Sequence, residues 1–418
     1  MPAAAPIPRG PTVLTLYTAA DLLTAPGCPV CRYAGEVGSR YLAWFALESH
    51  ADAATITRLC KSLGMCPRHT RALMSQPGAA HRLTAVYRYV IEEALDRLSG
   101  RAASIDPCPA CEHDRGAVGR AADTLLDGLT EASVRERYRE LGGLCVPHLA
   151  HLGTAAARGD QRTVAWLSHT MTAGPADPGR LAGTDYDADA RAVLRQAAAA
   201  TTRPGPGSCI ACLAAARAQD DHLTWIVRAG GGTARQEPDR LLLLCAAHLS
   251  DVVAIAGQKD APSLLAWQAG CLAAAVSQAA ASPPRRKLGA PASWVRPRRR
   301  AESEDRCPAC LVGRRAAQRA VDDLSASLRA SPPASCDQAP LCVRHLLGLQ
   351  AADPWAGHVT ARGAVRRAEV LIAELNEAFG KNTWARRREA RGPEMTAWRR
   401  AAAFLDGGVF CGCPPRDG

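Results

Sequence analysis

The chain has 418 residues and a formal net charge of +11, with 47% hydrophobic and 22% charged residues. This composition is ordinary for a soluble globular protein, and the length allows two or three domains with sizeable cores. Aromatic residues make up only 5%, which excludes a core rich in large rings. A core of Ala, Leu and Val gains less from burial, so the seventeen cysteines are candidate staples.

The N-terminal residues lack the basic segment and the clear cleavage site of a signal peptide. We therefore expect a cytoplasmic location, where recurrent cysteine pairs indicate metal or redox chemistry more often than disulfides.

Residues 264–284 carry no formal charge and are long enough to cross a bilayer. They are mostly alanine and include Gln268 and Gln278, so we interpret them as a buried helix and expect no membrane partner.

A CxxC motif, a spacer and a CxxH motif follow one another four times along the chain. The spacers between the second and third cysteines are 34, 33, 32 and 31 residues. Such regular recurrence identifies internal repeats. The four copies consist of Cys28, Cys31, Cys66 and His69; Cys108, Cys111, Cys145 and His148; Cys209, Cys212, Cys245 and His248; and Cys307, Cys310, Cys342 and His345.

Between the motifs the apolar residues recur at helical spacing, and no convincing strand alternation occurs. In the first repeat Asp52 is a plausible N-cap, and Gly64 and Gly100 follow predicted helix ends. The predicted helices of this repeat are 33–49, 52–63, one beginning at Pro67, and 82–98. The pattern predicts an all-α fold of four metal-stapled helical repeats, with the ligands where helices begin.

Breaks rich in Pro and Gly near the middle of the chain indicate a boundary close to residue 182. We predict two lobes of two repeats each, residues 1–182 and 183–418. The second lobe includes a basic linker, 283–300, and a C-terminal tail, 406–418.

The second lobe resembles an uncharacterised bacterial family, filed as a domain of unknown function, of helical proteins with paired CPxC and GxCxxH units. The likeness rests on the motifs and on the segments 368–379 and 393–401, which resemble the long helix and the Trp-containing closing helix of that family. The first lobe shares the motifs without this ending. In the third repeat, which belongs to the second lobe, Ile210 replaces the usual proline. The resemblance implies a helical fold and bacterial origin, and it implies no activity.

Three cysteines and one histidine are a recognised ligand set of tetrahedral structural zinc. Proline after the first cysteine, as at Pro29, Pro109 and Pro308, suits the first position of a helix. The thiolates would then lie at helix N-termini, whose partial positive charge favours anions. We predict four zinc ions, each bound by the CxxC and the CxxH of one repeat. An iron–sulfur cluster is the alternative, although clusters prefer four thiolates.

Some cysteines and histidines lie outside the repeated pattern. Cys60 and Cys336 each precede a third ligand by six residues, and Cys411 and Cys413 form a CxC motif in the tail. We consider all four as possible redox or accessory thiols, with a buried apolar role as the simpler interpretation of the first two. His113, two residues after Cys111, is the one further histidine close to a motif.

The sequence contains no HExxH, GxSxG, Walker A or GxGxxG motif, and four protein ligands leave zinc no open position. We interpret the protein as a non-catalytic adaptor or regulator with a protein partner.

Basic segments 285–300 and 381–400, the latter with Trp384 and Trp398, make nucleic acid an alternative partner. We favour a solvated linker and helix face there, because no recognised nucleic-acid-reading motif accompanies the charge. Thiol redox or metal handling is a third hypothesis.

Overall fold

The computed structural model describes a defined subset of the chain, and all structural statements concern it. These residues are 12–25, 27–74, 76, 79–100, 104–140, 143–145, 147–149, 151–152, 163, 166–167, 170, 209–229, 244–245, 247–256, 264, 268, 307–331 and 341–407. Within these ranges the chain is helical and has no β-strand, which confirms the predicted all-α fold. None of the helices found there is long and apolar enough to cross a bilayer.

The helices of the first two repeats follow the predicted order. They are α1 (Val13–Leu22), α2 (Pro29–Leu47), a 3-10 helix (Ser49–Ala51), α3 (Ala53–Lys61), α4 (Pro67–Met74), α5 (Ala79–Leu98), α6 (Pro109–Gly128) and α7 (Ala132–Glu140). The side chain of Asp52 accepts a hydrogen bond from the backbone N–H of Thr55, which confirms it as the N-cap of α3. Gly64 and Gly100, at φ +85° and +108°, terminate helical segments as predicted.

The helices of the last two repeats are α8 (Ile210–Ala229), α9 (Pro308–Ala330), α10 (Val343–Ala352), α11 (Pro354–Lys381), a 3-10 helix (Pro393–Thr396) and α12 (Ala397–Asp406). Residues 247–256 are helical as well. Segment 368–379 lies within α11, and segment 393–401 covers the second 3-10 helix and the first half of α12. The family resemblance itself stays a prediction.

The chain forms two compact units, each built from segments on both sides of residue 182. One comprises Met1–Val37, Arg115–Tyr186 and Thr224–Pro308, and the other comprises Gly38–Asp114, Asp187–Leu223 and Ala309–Gly418. Residue 182 itself, the linker 283–300 and the tail beyond residue 407 lie outside the described residues. The division into consecutive lobes stays a prediction.

The second of these units has a core built around α5 and α11. Helices α10 and α12 pack against both, and α3 packs against α5. Side chains of small and medium size fill this core, as the composition predicts. Its fully buried members include Phe45, Leu63, Leu73, Ile91, Ala94, Leu346, Ala364, Leu375 and Phe404.

The first unit includes helices α1 and α7, which lie in contact. Gly128, at the end of α6, faces Ala19 of α1 so closely that an added Cβ would lie 2.4 Å from the Ala19 Cβ. Arg137 of α7 donates a 2.9 Å hydrogen bond to the carbonyl of Leu23, just after α1. The end of α7 is thereby fixed beside the segment that leads to Cys28.

Candidate metal centres

The structure gathers all sixteen predicted ligands into four groups of three cysteines and one histidine. In each group the ligand atoms lie within 4.8 Å of one another. Site 1 contains Cys28, Cys31, Cys145 and His148; site 2 contains Cys66, His69, Cys108 and Cys111; site 3 contains Cys209, Cys212, Cys342 and His345; site 4 contains Cys245, His248, Cys307 and Cys310.

The prediction that each site forms within one repeat is wrong. The CxxC of the first repeat meets the CxxH of the second, and the CxxC of the second meets the CxxH of the first. The third and fourth repeats exchange their motifs in the same way. No ligand set combines residues from the first two repeats with residues from the last two.

Each site lies where two helix N-termini meet, as the helix-start prediction requires. The first cysteine of a motif precedes the helix, and its carbonyl accepts the first helical hydrogen bond, as Cys28 does from Arg32 and Cys66 does from Thr70. The second ligand of the motif lies three residues later, on the same side of the first turn. One helix supplies two cysteines and the other supplies a cysteine and a histidine. The partial positive charge of both N-termini favours the thiolate form.

The distances between ligand atoms match the edges of a tetrahedron around one ion. In site 1, Nδ1 of His148 lies 3.4, 3.3 and 3.2 Å from the sulfurs of Cys28, Cys31 and Cys145. The sulfurs of Cys31 and Cys145 are 3.6 Å apart. Zinc bond lengths to sulfur and nitrogen imply edges of about 3.8 Å between sulfurs and about 3.5 Å between sulfur and nitrogen. The donor set therefore fits a tetrahedral ion of this size.

The other sites repeat this geometry. In site 2, Nδ1 of His69 lies 3.2, 3.6 and 3.4 Å from the sulfurs of Cys66, Cys108 and Cys111. In site 3, Nδ1 of His345 lies 3.4, 3.4 and 3.2 Å from the sulfurs of Cys209, Cys212 and Cys342. In site 4, Nδ1 of His248 lies 3.2 Å from the sulfur of Cys245 and 3.4 Å from that of Cys307. Every histidine thus presents Nδ1 and leaves Nε2 for another partner.

Helix length explains why a motif does not join its own repeat. The nineteen residues of α2 carry the chain about 28 Å from the beginning of that helix, because each helical residue rises about 1.5 Å. Helix α3 has nine residues and covers about half that distance before Cys66. The chain therefore reaches its CxxH motif without returning to the beginning of α2.

A buried arginine brings the second CxxC motif to the first CxxH motif. Arg97, only 3% exposed at the end of α5, donates to the carbonyls of Cys60, Lys61 and Ser104. The backbone N–H of Asp106 also donates to the carbonyl of Lys61, at 3.1 Å. These bonds join the segment just before Cys108 to the end of α3, five residues before Cys66. Near site 1, the hydrogen bond from Arg137 to the carbonyl of Leu23 joins the corresponding segments, since α7 precedes Cys145 and Leu23 precedes Cys28.

Site 2 has a carboxylate beside its histidine. Asp114 Oδ2 lies 2.9 Å from Nε2 of His69 and accepts a 3.0 Å hydrogen bond from Arg68. Asp114 is not among the residues predicted from the sequence. Its position in the repeat is the sequence signal that could have identified it. Asp114 lies three residues after the second cysteine of its CxxC motif, where the other repeats have Ala34, Ala215 and Gly313. The neighbouring His113 stacks on Tyr41 with ring centroids 4.6 Å apart.

Hydrogen bonds among the ligands shift the pKa values of histidines and cysteines in sites 1 and 2. Burial lowers the pKa of His69, but hydrogen bonds with Asp114, Cys108 and Cys66 outweigh burial and raise this pKa to about 11. In site 1, bonds with Cys28 and Cys31 likewise overcome burial and raise the pKa of His148 to about 10. Hydrogen bonding between the thiols lowers the pKa of Cys108 and raises that of Cys111. A metal ion binds thiolates and neutral imidazole, so metal binding at these sites must release protons.

Site 3 is covered by the end of α12. Gly407, at φ +92°, caps this helix, and an added Cβ would lie 2.5 Å from the sulfur of Cys212. The same sulfur lies 3.5 Å from the carbonyl oxygen of Asp406. Only glycine fits here, because both the backbone conformation and the thiolate exclude a side chain.

The predicted accessory thiols fall into two groups. Cys60 is half-buried against the core of its unit, and burial raises the pKa of its thiol to about 11, so it suits packing rather than redox chemistry. Cys336, Cys411 and Cys413 lie outside the described residues. No disulfide joins any of the described cysteines.

Comparison of the chain with family models, curated proteins and solved structures finds no match. The interpretation of the four sites therefore depends on their geometry and chemistry.

Proposed function

We propose that the protein binds four zinc ions and that these ions stabilise its fold. The observation that carries this proposal is the tetrahedral spacing of four Cys₃His sets at paired helix N-termini. The four protein ligands of each set fill all positions of a tetrahedral ion and leave none for a substrate. This favours a structural role over catalysis. We also propose that the protein is cytoplasmic and that it belongs to the bacterial family of unknown function that its second lobe resembles.

An iron–sulfur cluster is the weaker candidate on the same geometry. Each ligand of a four-iron cluster binds a different iron atom, so its ligands stand farther apart than the edges of one tetrahedron. The sulfurs in sites 1 and 2 are 3.6 and 3.5 Å apart. Elemental analysis and an absorption spectrum of freshly purified protein test the metal. We expect about four zinc per chain and no colour, whereas iron with sulfide would overturn the assignment.

We propose that the zinc-stabilised helices serve as an adaptor or regulator that binds another protein. The supporting surface is on α1, where Val13, Leu14 and Tyr17 are each about three quarters exposed. Large apolar side chains that cluster on a surface mark interaction sites. The triple replacement of these residues by Ser should abolish binding to a co-purifying protein while leaving zinc content at four. If the partner persists, α1 is not the binding surface.

Nucleic acid remains the second candidate partner because Trp384 is 77% exposed and carries the guanidinium of Arg387 3.2 Å above its ring. Much of the nearby charge is already neutralised. Lys381 pairs with Glu394, Arg386 pairs with Glu377 and Glu389, and Arg400 pairs with Glu374. Segment 285–300 lies outside the described residues.

Binding of duplex and single-stranded probes across a salt titration separates the two partner classes. We expect weak binding that disappears near physiological salt, as the net charge alone would give. Submicromolar affinity at about 0.15 M salt that is lost with Trp384→Ala would instead identify a nucleic-acid-binding protein.

A further inference from the structure

Asp114 lies on α6, one turn after Cys111, and faces the outer nitrogen of His69. Because Nδ1 of His69 points at three sulfurs, a metal ion in site 2 would bind that nitrogen. The ring proton must then be on Nε2. With Nε2 only 2.9 Å from Oδ2 of Asp114, His69 donates this proton to the carboxylate. Carboxylates in this position fix the ring orientation of a metal-binding histidine and increase its basicity.

The surroundings of Asp114 support a carboxylate at this place. Three thiolates around a divalent ion carry a net charge of −1, which would repel a further anion. Arg68 compensates this repulsion through its 3.0 Å hydrogen bond to the same oxygen. Gly38 of α2 provides the space, since a Cβ there would lie 2.7 Å from Oδ1 of Asp114.

The equivalent positions in the other repeats have no carboxylate, as Ala34, Ala215 and Gly313 show. The hydrogen bonds of His148 and His345 within the described part of the chain all involve cysteine sulfurs. The carboxylate therefore distinguishes site 2 from sites 1 and 3.

We propose that Asp114 is a positioning residue that makes site 2 bind its metal more tightly than sites 1 and 3. The proposal rests on the proposed zinc function. Removal of such a carboxylate lowers metal affinity on the order of 10- to 100-fold in other proteins. Asp114→Asn, which keeps the shape and removes the charge, should have this effect on one zinc ion of the four.

The experiment uses the full zinc-loaded chain and measures zinc release against a graded series of chelator concentrations. Asp114→Asn should still contain four zinc ions but release one of them at roughly 10- to 100-fold lower chelator concentration. Asp123→Asn is the matched control, because it makes the same charge change at an exposed position of the same helix. It should reproduce the wild-type release curve. Gly38→Ala should weaken the same ion by displacing the carboxylate without changing charge.

A second background separates positioning from a general structural effect. His69→Cys keeps four ligands for zinc but removes the imidazole on which Asp114 acts. In that background Asp114→Asn should leave the release curve unchanged. An unaltered curve for Asp114→Asn alone, or equal weakening with and without His69, overturns the proposal. A wild-type chain without zinc would refute the proposed function itself, which is a distinguishable result.

Discussion

The two pairs of motif-bearing helices make the same close contact with opposite residue choices. In the first pair, Gly38 of α2 leaves room for Asp114 of α6. In the second pair, Gly313 of α9 leaves room for Gln219 of α8. Counted from the nearest CxxC motif, Gly38 and Gln219 occupy one equivalent position, and Asp114 and Gly313 occupy the other.

This exchange of large and small residues shows what the contact requires. One position must lack a side chain, and the other sends a polar side chain across it. Packing does not decide which helix carries the glycine. In the first pair the polar residue is a carboxylate that reaches His69, and in the second it is a buried carboxamide. Equivalent packing thus gives the sites different chemistry.

Removal of metal tests whether these contacts can hold the helices without the ions, and it should have the largest effect. Structural zinc sites contribute about 10–16 kcal/mol each in apparent binding free energy at pH 7. Whole domains are stable by only about 5–15 kcal/mol. We therefore expect an excess of a strong chelator to abolish most of the helical circular dichroism signal. Zinc should restore it, and retention of the full signal without metal would make packing alone sufficient.

The exchanged ligand sets predict which double replacements affect one site and which affect two. Cys28→Ser with Cys145→Ser changes only site 1 and should leave three zinc ions. Cys28→Ser with Cys66→Ser changes sites 1 and 2 and should leave two. Sites formed within single repeats would give the opposite counts. Zinc per chain, measured by elemental analysis on folded protein, decides between the arrangements.

The ligands and helix starts could be predicted from the sequence because they depend on local patterns. CxxC and CxxH place two ligands on one helical turn wherever they occur, and Asp52 shows the same local logic as an N-cap. The choice of partner motif is not local. Cys66 follows Cys31 after 34 residues and Cys108 follows His69 after 38, so spacing alone does not separate the two pairings.

The residues that set the pairing and tune site 2 have weaker sequence signals. Arg97 looks like an ordinary surface residue of an amphipathic helix until its carbonyl partners are known. His113 is the further histidine that lies close to a motif in the sequence, whereas the adjacent Asp114 makes the contact with His69. A comparison of the four repeats position by position would have found Asp114 as the one carboxylate in its column.

Site 3 allows a third test, because it is closed by a backbone contact instead of a polar side chain. Gly407→Ala would force a left-handed conformation that is unfavourable by about 1–2 kcal/mol. It would also place a Cβ 2.5 Å from the sulfur of Cys212. We expect destabilisation in urea together with easier release of one zinc ion.

Gly100→Ala is the control for this test. Gly100 has a φ of +108°, and no atom of the described residues lies within 4 Å of an added Cβ, so only the backbone effect should remain. Equal effects of the two replacements on zinc release would show that Gly407 does not act on the site.

The smallest expected effects come from the two helix contacts themselves. Gly313→Ala would place a Cβ 2.4 Å from Nε2 and 2.8 Å from Cδ and Cγ of Gln219, a side chain only 5% exposed. Overpacking of this kind lowers the free energy of unfolding by about 1–3 kcal/mol. The higher helix propensity of alanine relative to glycine offsets up to about 1 kcal/mol of this loss. Gly38→Ala meets only the end of the Asp114 carboxylate, which can turn aside.

The contact therefore predicts an asymmetry that urea unfolding of the zinc-loaded protein can measure. Gly313→Ala should destabilise by about 1–2 kcal/mol, and Gly38→Ala should stay within about 1 kcal/mol of wild type. Gly119→Ala and Gly348→Ala are helical controls, since no atom in the described part of the chain lies within 4 Å of the added Cβ, and both should stabilise slightly. If Gly313→Ala behaves like these controls, the space between α8 and α9 is not what fixes the glycine. The close contact would then not explain why the two pairs of helices differ.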